Sequence, residues 1–147
     1  MCPDNSTHNL TASEVESAVR RVWELFASKK IDQWQSFYAD VASVFGTASK
    51  RPEPARLVVL RRQREYLTNA TKVVVHVGKV DVEVIGPDCA VAAYTMQLDA
   101  EQIAKLSAAG QKEHEEHLET ARVTHVFQRD SDGSLRIVHE HISAATI

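Results

Sequence analysis

Two patterns of apolar positions divide the 147-residue chain into a helical first part and a strand-rich second part. In the first part, apolar side chains recur every three or four residues, the spacing of a helix with one buried face. That stripe consists of Val15, Ala18, Val19, Val22, Leu25 and Phe26. Thr11 with Glu14, or Ser13 with Glu16, can form the capping box that starts this first helix.

Two further helices complete the first part of the chain. A short second helix has one largely apolar side, formed by Ile31, Trp34, Phe37 and Tyr38. Pro54 is well placed to start a third helix, which runs to about Leu67, because proline fits the first helical turn.

The second part alternates apolar with polar residues, as strands with one buried face do. We predict two long strands here before the final hairpin, over 72–85 and 89–98, in addition to a short strand between the second and third helices, over 41–46. Gly78, inside the first of the two long strands, indicates a bulge or bend. Residues 99–120 interrupt the alternation, and their composition predicts a helical segment over 100–109 followed by a charged stretch.

Residues 121–143 carry the strongest local signal in the chain. Asp132-Gly133 is typical of a two-residue hairpin turn, in which both central positions need a positive φ. That turn would place Arg122 opposite Ser143, Thr124 opposite His141, and Val126 opposite His139. One face of the hairpin then holds Arg122, Thr124, Val126, Ile137, His139 and His141, and the other holds Val123, His125, Phe127, Val138, Glu140 and Ile142. We interpret the first, more polar face as a pocket wall and the second as a buried contact surface.

The order of these elements, helices first and strands afterwards, predicts an α+β domain in which a curved antiparallel sheet wraps around the N-terminal helices. Residues 1–10 are expected to form a flexible tail, and residues 11–147 a single domain.

Composition narrows the classes of function. Hydrophobic residues make up 44% of the chain and the net charge is −3, so bulk electrostatics favour neither nucleic acid nor a membrane surface. No apolar run approaches the roughly 20 residues that span a bilayer, and the first ten residues lack the features of a signal peptide. Two cysteines, Cys2 and Cys89, indicate no disulfide framework. A cytoplasmic location is the resulting expectation.

Three segments resemble a known superfamily: WQSFYAD at 34–40, Gly-Pro-Asp at 86–88, and above all DGSLRIVHEHIS at 132–143. They are similar to the nuclear transport factor 2-like, or SnoaL-like, superfamily. The nearest branches are the calcium/calmodulin-dependent kinase II association domains and the ketosteroid-isomerase-like proteins. The resemblance implies a cone-shaped, cystatin-like α+β barrel with a pocket between the helices and the sheet.

Function does not follow from this fold, because the superfamily hosts isomerases, cyclases, dehydratases and association domains. The resemblance places the general-base aspartate of ketosteroid isomerases at Gly46 and their oxyanion tyrosine at Val22, so that machinery is absent. The pocket arginine of the association-domain branch falls near Met96.

His139 and His141 are the candidate catalytic residues, because histidine can gain and lose a proton near neutral pH. The pair could instead be purely structural, or bind a metal if a third ligand converged. Their cross-strand neighbours Val126 and Thr124 supply no strong ligand, so we expect neither a metal nor a cofactor.

The candidate ligand-binding residues are Arg122, Thr124, Trp23, Trp34 and Tyr38. Arg122 would hold an anionic group, or alternatively a salt bridge to Asp40. The aromatic residues would line the cavity, or alternatively belong to the core.

Two charged segments allow a second interpretation. Residues 113–117, EHEEH, suggest a metal site but fit a solvated stretch better. The basic segment 50–64 suggests nucleic acid, but it lacks aromatic platforms, and the acidic segment 113–119 is a simpler partner.

Two hypotheses of function remain open. The protein binds a small, partly hydrophobic molecule, with or without an anionic group, either as an isomerase, dehydratase or cyclase of a hydrophobic carbonyl compound or without catalysis. Otherwise it is an oligomerising domain. In either case we expect a homodimer through the outer sheet face, formed by Val123, Phe127, Val138 and Ile142.

Overall fold

The structure, a computed structural model, describes residues 9–46, 49–103 and 114–145, with side chains described except at 57, 58, 100–103 and 114–119. The chain forms the expected α+β fold. Its helices are α1 (Ala12–Ala27), α2 (Ile31–Ser36) and α3 (Leu60–Asn69), and a π-helical turn at Ala55–Val59 leads into α3. Its strands are β1 (Tyr38–Phe45), β2 (Glu53–Pro54), β3 (Ala70–Val77), β4 (Asp81–Gly86), β5 (Cys89–Ile103), β6 (His114–Arg129) and β7 (Leu135–Ala144).

All seven strands form one curved sheet that does not close into a complete barrel. The strand order is β2-β1-β7-β6-β5-β3, and β4 also pairs with β5. β1 and β7 run parallel, which differs from the antiparallel sheet that the sequence predicts. Parallel pairing needs a long connection between the two strands, and here nearly the whole sheet lies between them.

The start of α1 follows the first of the two predicted capping boxes. The Thr11 side chain accepts a hydrogen bond from the Glu14 backbone, and the Glu14 side chain accepts one from the Thr11 backbone. Leu10, which the sequence prediction counts with the tail, is buried, and its N–H donates to the Pro87 carbonyl at 2.9 Å. Leu10 therefore packs with the domain, and residues 1–8 lie outside the described residues.

Gly78 causes the break between β3 and β4, as its place in the sequence predicts. Its N–H donates to the Thr95 carbonyl oxygen at 2.8 Å. A Cβ at this position would lie 3.0 Å from Thr95 Oγ1 and 3.1 Å from that carbonyl oxygen. The backbone thus approaches β5 so closely that a side chain here would be crowded, and the long predicted strand becomes two strands that both pair with β5.

The final hairpin turns through three residues, so the prediction of a two-residue turn is wrong. Asp130 N–H donates to the Ser134 carbonyl at 2.7 Å, and Gly133 adopts φ 86°. Val138 forms a bulge that shifts the register back by one residue. The pairs Thr124–His141 and Val126–His139 therefore form as predicted.

The two faces of the hairpin are the reverse of the prediction. Val123, His125, Phe127 and Glu140 are buried on the concave side, which packs against the helices. His141 and Arg122 are exposed on the convex side. The concave side of a curved sheet has to exclude water against the helices, so it takes the more apolar residues.

The predicted dimer surface is wrong for three of its four residues. Val123 and Phe127 are buried in the core, and Ile142 lines an internal cavity. Val138 alone belongs to the outer side, where it is half-buried.

The predicted helical segment over 100–109 is wrong at its start, because β5 continues to Ile103. Residues 104–113 lie outside the described residues. Within the described ranges, none of the helices has both the length and the apolar character needed to cross a membrane.

Candidate functional site

A cavity of about 200 Å³ lies between the helices and the concave side of the sheet. Most of its wall is apolar and is formed by Trp23, Phe26, Trp34, Val44, Val59, Leu60, Met96, Leu98, Ala121 and Ile142. Tyr38 and Glu140 bring polar groups to the same cavity. An apolar cavity with a few converging polar groups is the usual form of a small-molecule site.

Glu140 and His125 form a buried side-chain contact beside this cavity. His125 Nε2 lies 2.7 Å from Glu140 Oε1, and the two side chains are 0% and 4% exposed. Tyr38 donates its hydroxyl to the same Oε1 at 2.6 Å. Both bonds therefore use Oε1, and no residue that the structure describes hydrogen-bonds Oε2.

Strand register brings these groups together. Glu140 on β7 pairs with His125 on β6 and with Val44 on β1, so its side chain points to the concave side. Ala92 on β5 lies opposite His125, and its small side chain leaves room for the imidazole ring.

The hydrogen bonds continue from His125 to the first helix. Trp23 Nε1 donates to Tyr94 Oη at 2.6 Å, and Tyr94 Oη lies 3.4 Å from His125 Nδ1. An indole N–H can only donate, so Tyr94 accepts from Trp23 and has its own proton to give to Nδ1. In a neutral imidazole, this arrangement places the single ring proton on Nε2, from which Glu140 accepts it. The chain of donors runs from Trp23 to the carboxylate in one direction.

Both tyrosines are held in the protonated, donating form. Burial, together with the negative charge and the hydrogen bond of Glu140, raises the pKa of Tyr38 well above its usual value. Burial also raises the pKa of Tyr94 well above 10, against the opposing effect of the Trp23 hydrogen bond.

The cavity has a second set of polar lining residues, Ser49, Glu53 and Arg62, which we call the rim. Glu53 accepts a hydrogen bond from Arg62 at 2.7 Å and one from Ser49 at 2.9 Å. These bonds, that of Arg62 first, lower the pKa of Glu53. The charge of Arg62 is thus already matched by a neighbouring carboxylate.

The structure places the predicted catalytic histidines away from the cavity. His139 Nδ1 lies 2.8 Å from Ser43 Oγ, and the His141 ring packs against Phe45 at 5.5 Å, both on the convex side. The interpretation of this side as the pocket wall is therefore wrong, since curvature turns it toward solvent.

Arg122 and Thr124 lie on the same convex side and do not line the cavity. Arg122 donates to the Ala144 carbonyl at 3.1 Å. Asp40, the alternative partner that the sequence suggested for it, pairs with Arg56 at 3.3 Å.

Three of the predicted ligand-binding residues do line the cavity: Trp23, Trp34 and Tyr38. Each is also buried in the core, so these aromatic residues both line the cavity and belong to the core. Contact with a ligand remains a prediction.

Sequence reasoning missed His125, Glu140 and Tyr94 as site residues. The signal was present, because the predicted register already paired His125 with Glu140 on an otherwise apolar face. Ionisable side chains are rarely buried unless they pair with each other. Buried ionisable pairs occur frequently at functional sites.

Two charged segments of the sequence also suggested binding sites. The described residues contain no cluster of three histidine, cysteine or acidic side chains able to hold a metal ion. Of the basic segment, Arg62 pairs with Glu53 and Arg64 pairs with Asp32 at 2.8 Å. The acidic side chains suggested as partners, at 113–119, lie outside the described side chains.

Comparison with known proteins places this geometry in a family. The profile of the SnoaL-like domain matches residues 15–147. No curated protein sequence matches the chain.

Three solved structures illustrate the likeness of fold. One is a dehydratase candidate of the NTF2-like family from Streptomyces avermitilis, 18% identical, with a TM-score of 0.74 over 92% of this chain and 97% of that chain. Another is a scytalone dehydratase candidate from Novosphingobium aromaticivorans, 8% identical, with a TM-score of 0.75 over 90% and 82%. The association domain of C. elegans CaMKII is 16% identical, with a TM-score of 0.64 over 89% and 93%.

At these identities the likeness is one of fold, and the profile match shows the family. The chain belongs to the family of SnoaL-like domains.

Proposed function

We propose that the protein is a small-molecule enzyme that transfers protons within the cavity beside Glu140. The observation that carries the proposal is the buried contact between Glu140 and His125, with Tyr38 on the same carboxylate oxygen. A purely structural core seldom contains such a group beside an open cavity.

The arrangement suits removal of a proton from a carbon next to a carbonyl group. Glu140 Oε2 takes the proton, and the electron pair of the C–H bond moves onto the carbonyl oxygen to form an enolate. In a substrate with a double bond next to that carbon, the proton on Glu140 returns to the far carbon of the dienolate as the C=O bond re-forms, which gives an isomerase. In a substrate with a hydroxyl group on the neighbouring carbon, the C=O bond re-forms, a C=C bond forms, and the hydroxyl takes the proton from Glu140 and leaves as water, which gives a dehydratase. His125 and Tyr38 act through their hydrogen bonds to Oε1, which hold the carboxylate in place.

Deuterium exchange tests this proposal without knowledge of the natural substrate. The ketone 1-indanone has exchangeable protons next to its carbonyl, and their loss in D₂O is followed by proton NMR. We expect the protein to accelerate the exchange above the rate in buffer. The Glu140→Gln variant should lose about 100-fold or more of that acceleration, the usual scale for removing a general base.

The matched control is His139→Asn on the convex side, which should exchange like the unmodified protein. Acceleration that survives in Glu140→Gln would show that another group takes the proton. Loss of the acceleration in His139→Asn would return the assignment to the convex histidines.

Self-association is a second candidate function, favoured by the exposed aliphatic side chain of Val41. This residue of β1 is 83% exposed, and it lines the same surface groove as Val138 of β7. Apolar side chains that lie together on an exposed sheet face mark contacts between copies of a chain, and Val41 and Val138 are the two valines of this groove. Sedimentation should show a dimer that Val41→Asp weakens. A monomer at micromolar concentration would end this second candidate.

A further inference from the structure

We propose that the cavity binds a small organic amine as its ammonium ion, with the ammonium group on Glu140 Oε2 and one ring system against the apolar wall. The inference goes beyond the proposed function, because binding of an amine requires no proton transfer. The amine uses the same oxygen as the proposed base, so it takes the place of the substrate.

The free carboxylate oxygen of Glu140 is the first observation. Oε1 accepts from Tyr38 at 2.6 Å and lies 2.7 Å from His125 Nε2, whereas Oε2 has no hydrogen-bond partner among the described residues. The described buried side-chain atoms that lack both a hydrogen-bond partner and accessible surface are Trp34 Nε1 and Arg129 Nε, so Oε2 is not sealed off in that way. Glu140 is 3% exposed and lines the cavity, and the accessible surface of Oε2 therefore opens into it.

The negative charge of this carboxylate has no matching cation in the described part of the cavity. Tyr94 accepts from Trp23, and the acceptor for its own proton is His125 Nδ1, so that nitrogen carries no proton and the imidazole is neutral. Arg62, the one basic residue among the described lining residues, already pairs with Glu53 at the rim.

A buried charge is costly unless it is paired, so the ligand that suits Oε2 is one that brings a positive charge. The anionic ligand that the sequence suggested would instead face the Glu140 carboxylate. Met96 supplies an apolar side chain where the resemblance to association domains placed an arginine.

Four aromatic rings that line the cavity give it a surface suited to an organic cation. Trp23 packs against Phe26 with ring centroids 5.3 Å apart, Phe26 packs against Trp34 at 5.3 Å, and Trp34 packs against Tyr38 at 5.5 Å. The faces of aromatic rings attract cations, and groups of such rings bind ammonium ligands. A metal ion would need further oxygen, nitrogen or sulfur ligands, and the described residues contain no such cluster.

The volume limits the skeleton of the amine. A protein cavity of about 150 Å³ takes up benzene, and this one measures about 200 Å³. One ring with a fused second ring or a short chain fits that space. The ring then contacts apolar side chains such as Leu60 and Ile142 while the ammonium group contacts Glu140.

Two probes of nearly the same shape test the inference: 2-aminoindane, which is an ammonium ion at about pH 7, and 2-indanol, which is neutral. Calorimetric titration should show that the unmodified protein binds 2-aminoindane at least about tenfold more tightly than 2-indanol, the lower end of the range for close pairs of opposite charge. Equal affinities, or no binding of either probe up to its solubility, would overturn the inference.

Glu140→Gln removes the charge and keeps an acceptor for Tyr38 and His125. In this variant the affinities for the two probes should lie within about threefold of each other. The matched control is Glu53→Gln, which removes the carboxylate of the rim. Its preference for 2-aminoindane should remain, reduced at most about threefold by the freed charge of Arg62. A preference that survives Glu140→Gln, or that is lost in Glu53→Gln, contradicts the inference.

A measurement on the unmodified protein does not depend on the folding of a variant. In protein labelled with ¹³C in its glutamate carboxyl groups, 2-aminoindane should shift the NMR signal of Glu140 and leave that of Glu53 in place. A shift of the Glu53 signal without one of the Glu140 signal would assign the amine to the rim and refute the inference.

Deuterium exchange separates this inference from the proposed function. Because the amine occupies the oxygen of the base, 2-aminoindane should inhibit the exchange of 1-indanone by the unmodified protein. Amine binding that depends on Glu140 without any exchange leaves the inference standing and ends the enzymatic proposal. Exchange that depends on Glu140, without a preference for 2-aminoindane, has the reverse meaning.

Discussion

The Glu140 carboxylate is held in position by the residues that hydrogen-bond to it. Its Oε1 accepts from both His125 and Tyr38, and a run of donors from Trp23 through Tyr94 leads to the same atom. Every member of this run is buried. In such surroundings a missing partner leaves a polar group unpaired, so each residue helps to hold the others in position.

Tyr94→Phe should therefore disturb a histidine that lies one step along the chain. Loss of the hydroxyl removes the donor to His125 Nδ1 and the acceptor of Trp23. We expect the Nε2–H form of His125 to lose its dominance, seen in the ¹⁵N shifts of the ring nitrogens. The free energy of unfolding should fall by about 1–3 kcal/mol, the cost of a buried unpaired group.

Tyr38→Phe is the matched control for the tautomer, because it removes a donor to Glu140 and leaves the contact between Tyr94 and His125 in place. Its His125 signals should keep the pattern of the unmodified protein. An unmodified protein in which Nδ1 carries the proton would refute the proposed direction of the hydrogen bonds.

At the scale of single residues, the sequence predicted the aromatic lining better than the chemistry. Trp34 and Tyr38 fall at spacings that predict the apolar side of the second helix, although Tyr38 begins β1. The predicted register puts His125 opposite Glu140, but on the face for which the sequence predicts a contact surface. Alternation along a strand separates two faces, and it does not reveal which of them is concave.

Elements show how local irregularities determine the final geometry. Two departures from a regular hairpin occur in the last two strands, a three-residue turn and a bulge at Val138. Their shifts cancel beyond the bulge, so the pairing of Thr124 with His141 was correctly predicted from a turn that does not form. A sequence pattern reports such a bulge only weakly, because Val138 is as apolar as a regularly paired residue.

The break after β3 is, in contrast, tied to a single residue. Gly78→Ala places a methyl group 3.0 Å from Thr95 Oγ1 and 3.1 Å from its carbonyl oxygen. We expect a loss of about 1–3 kcal/mol in the free energy of unfolding by urea, the usual cost of overpacking.

Gly86→Ala is the control for this prediction, because nothing lies within 4 Å of the added carbon. Its free energy of unfolding should stay within about 0.5 kcal/mol of the unmodified protein. Equal effects of the two substitutions would show that close approach to β5 is not the cause.

The whole molecule depends on the separation of its two sheet faces. Phe127 is fully buried on the concave side, whereas His141 is exposed on the convex side. Phe127→Glu should lower the free energy of unfolding by at least about 4 kcal/mol, since it creates a cavity and buries a charge. His141→Glu should change it by less than about 1 kcal/mol. A folded but dissociated Phe127→Glu protein would instead support the outer surface that the sequence suggested.

The buried tyrosines also give the molecule a pH limit. The pKa values of Tyr38 and Tyr94 are raised on folding, so the folded state keeps protons that the unfolded state releases above about pH 10. The contribution of these two tyrosines to the free energy of unfolding is therefore fully present below about pH 10, and it is lost as the pH rises through the folded pKa values. Each tyrosine contributes a slope of about 1.4 kcal/mol per pH unit.

Urea unfolding between pH 9 and 11 measures this slope. Tyr38→Phe should reduce the slope by about 1.4 kcal/mol per pH unit, leaving the contribution of Tyr94. An unchanged slope would mean that Tyr38 ionises as easily in the folded protein as in the unfolded chain.

The parallel pairing of β1 with β7 has a consequence for folding during synthesis on the ribosome. Tyr38 and Glu140 share a hydrogen bond across 102 residues of sequence. As the chain is synthesised, the helices and most of the sheet emerge before β7. Until β7 arrives, β1 has only the two-residue β2 beside it, and His125 has no carboxylate. A nascent chain that ends before Leu135 thus lacks both the strand that pairs with β1 and β6 and the Glu140 carboxylate of the cavity. The last strand therefore completes the fold and the candidate site together.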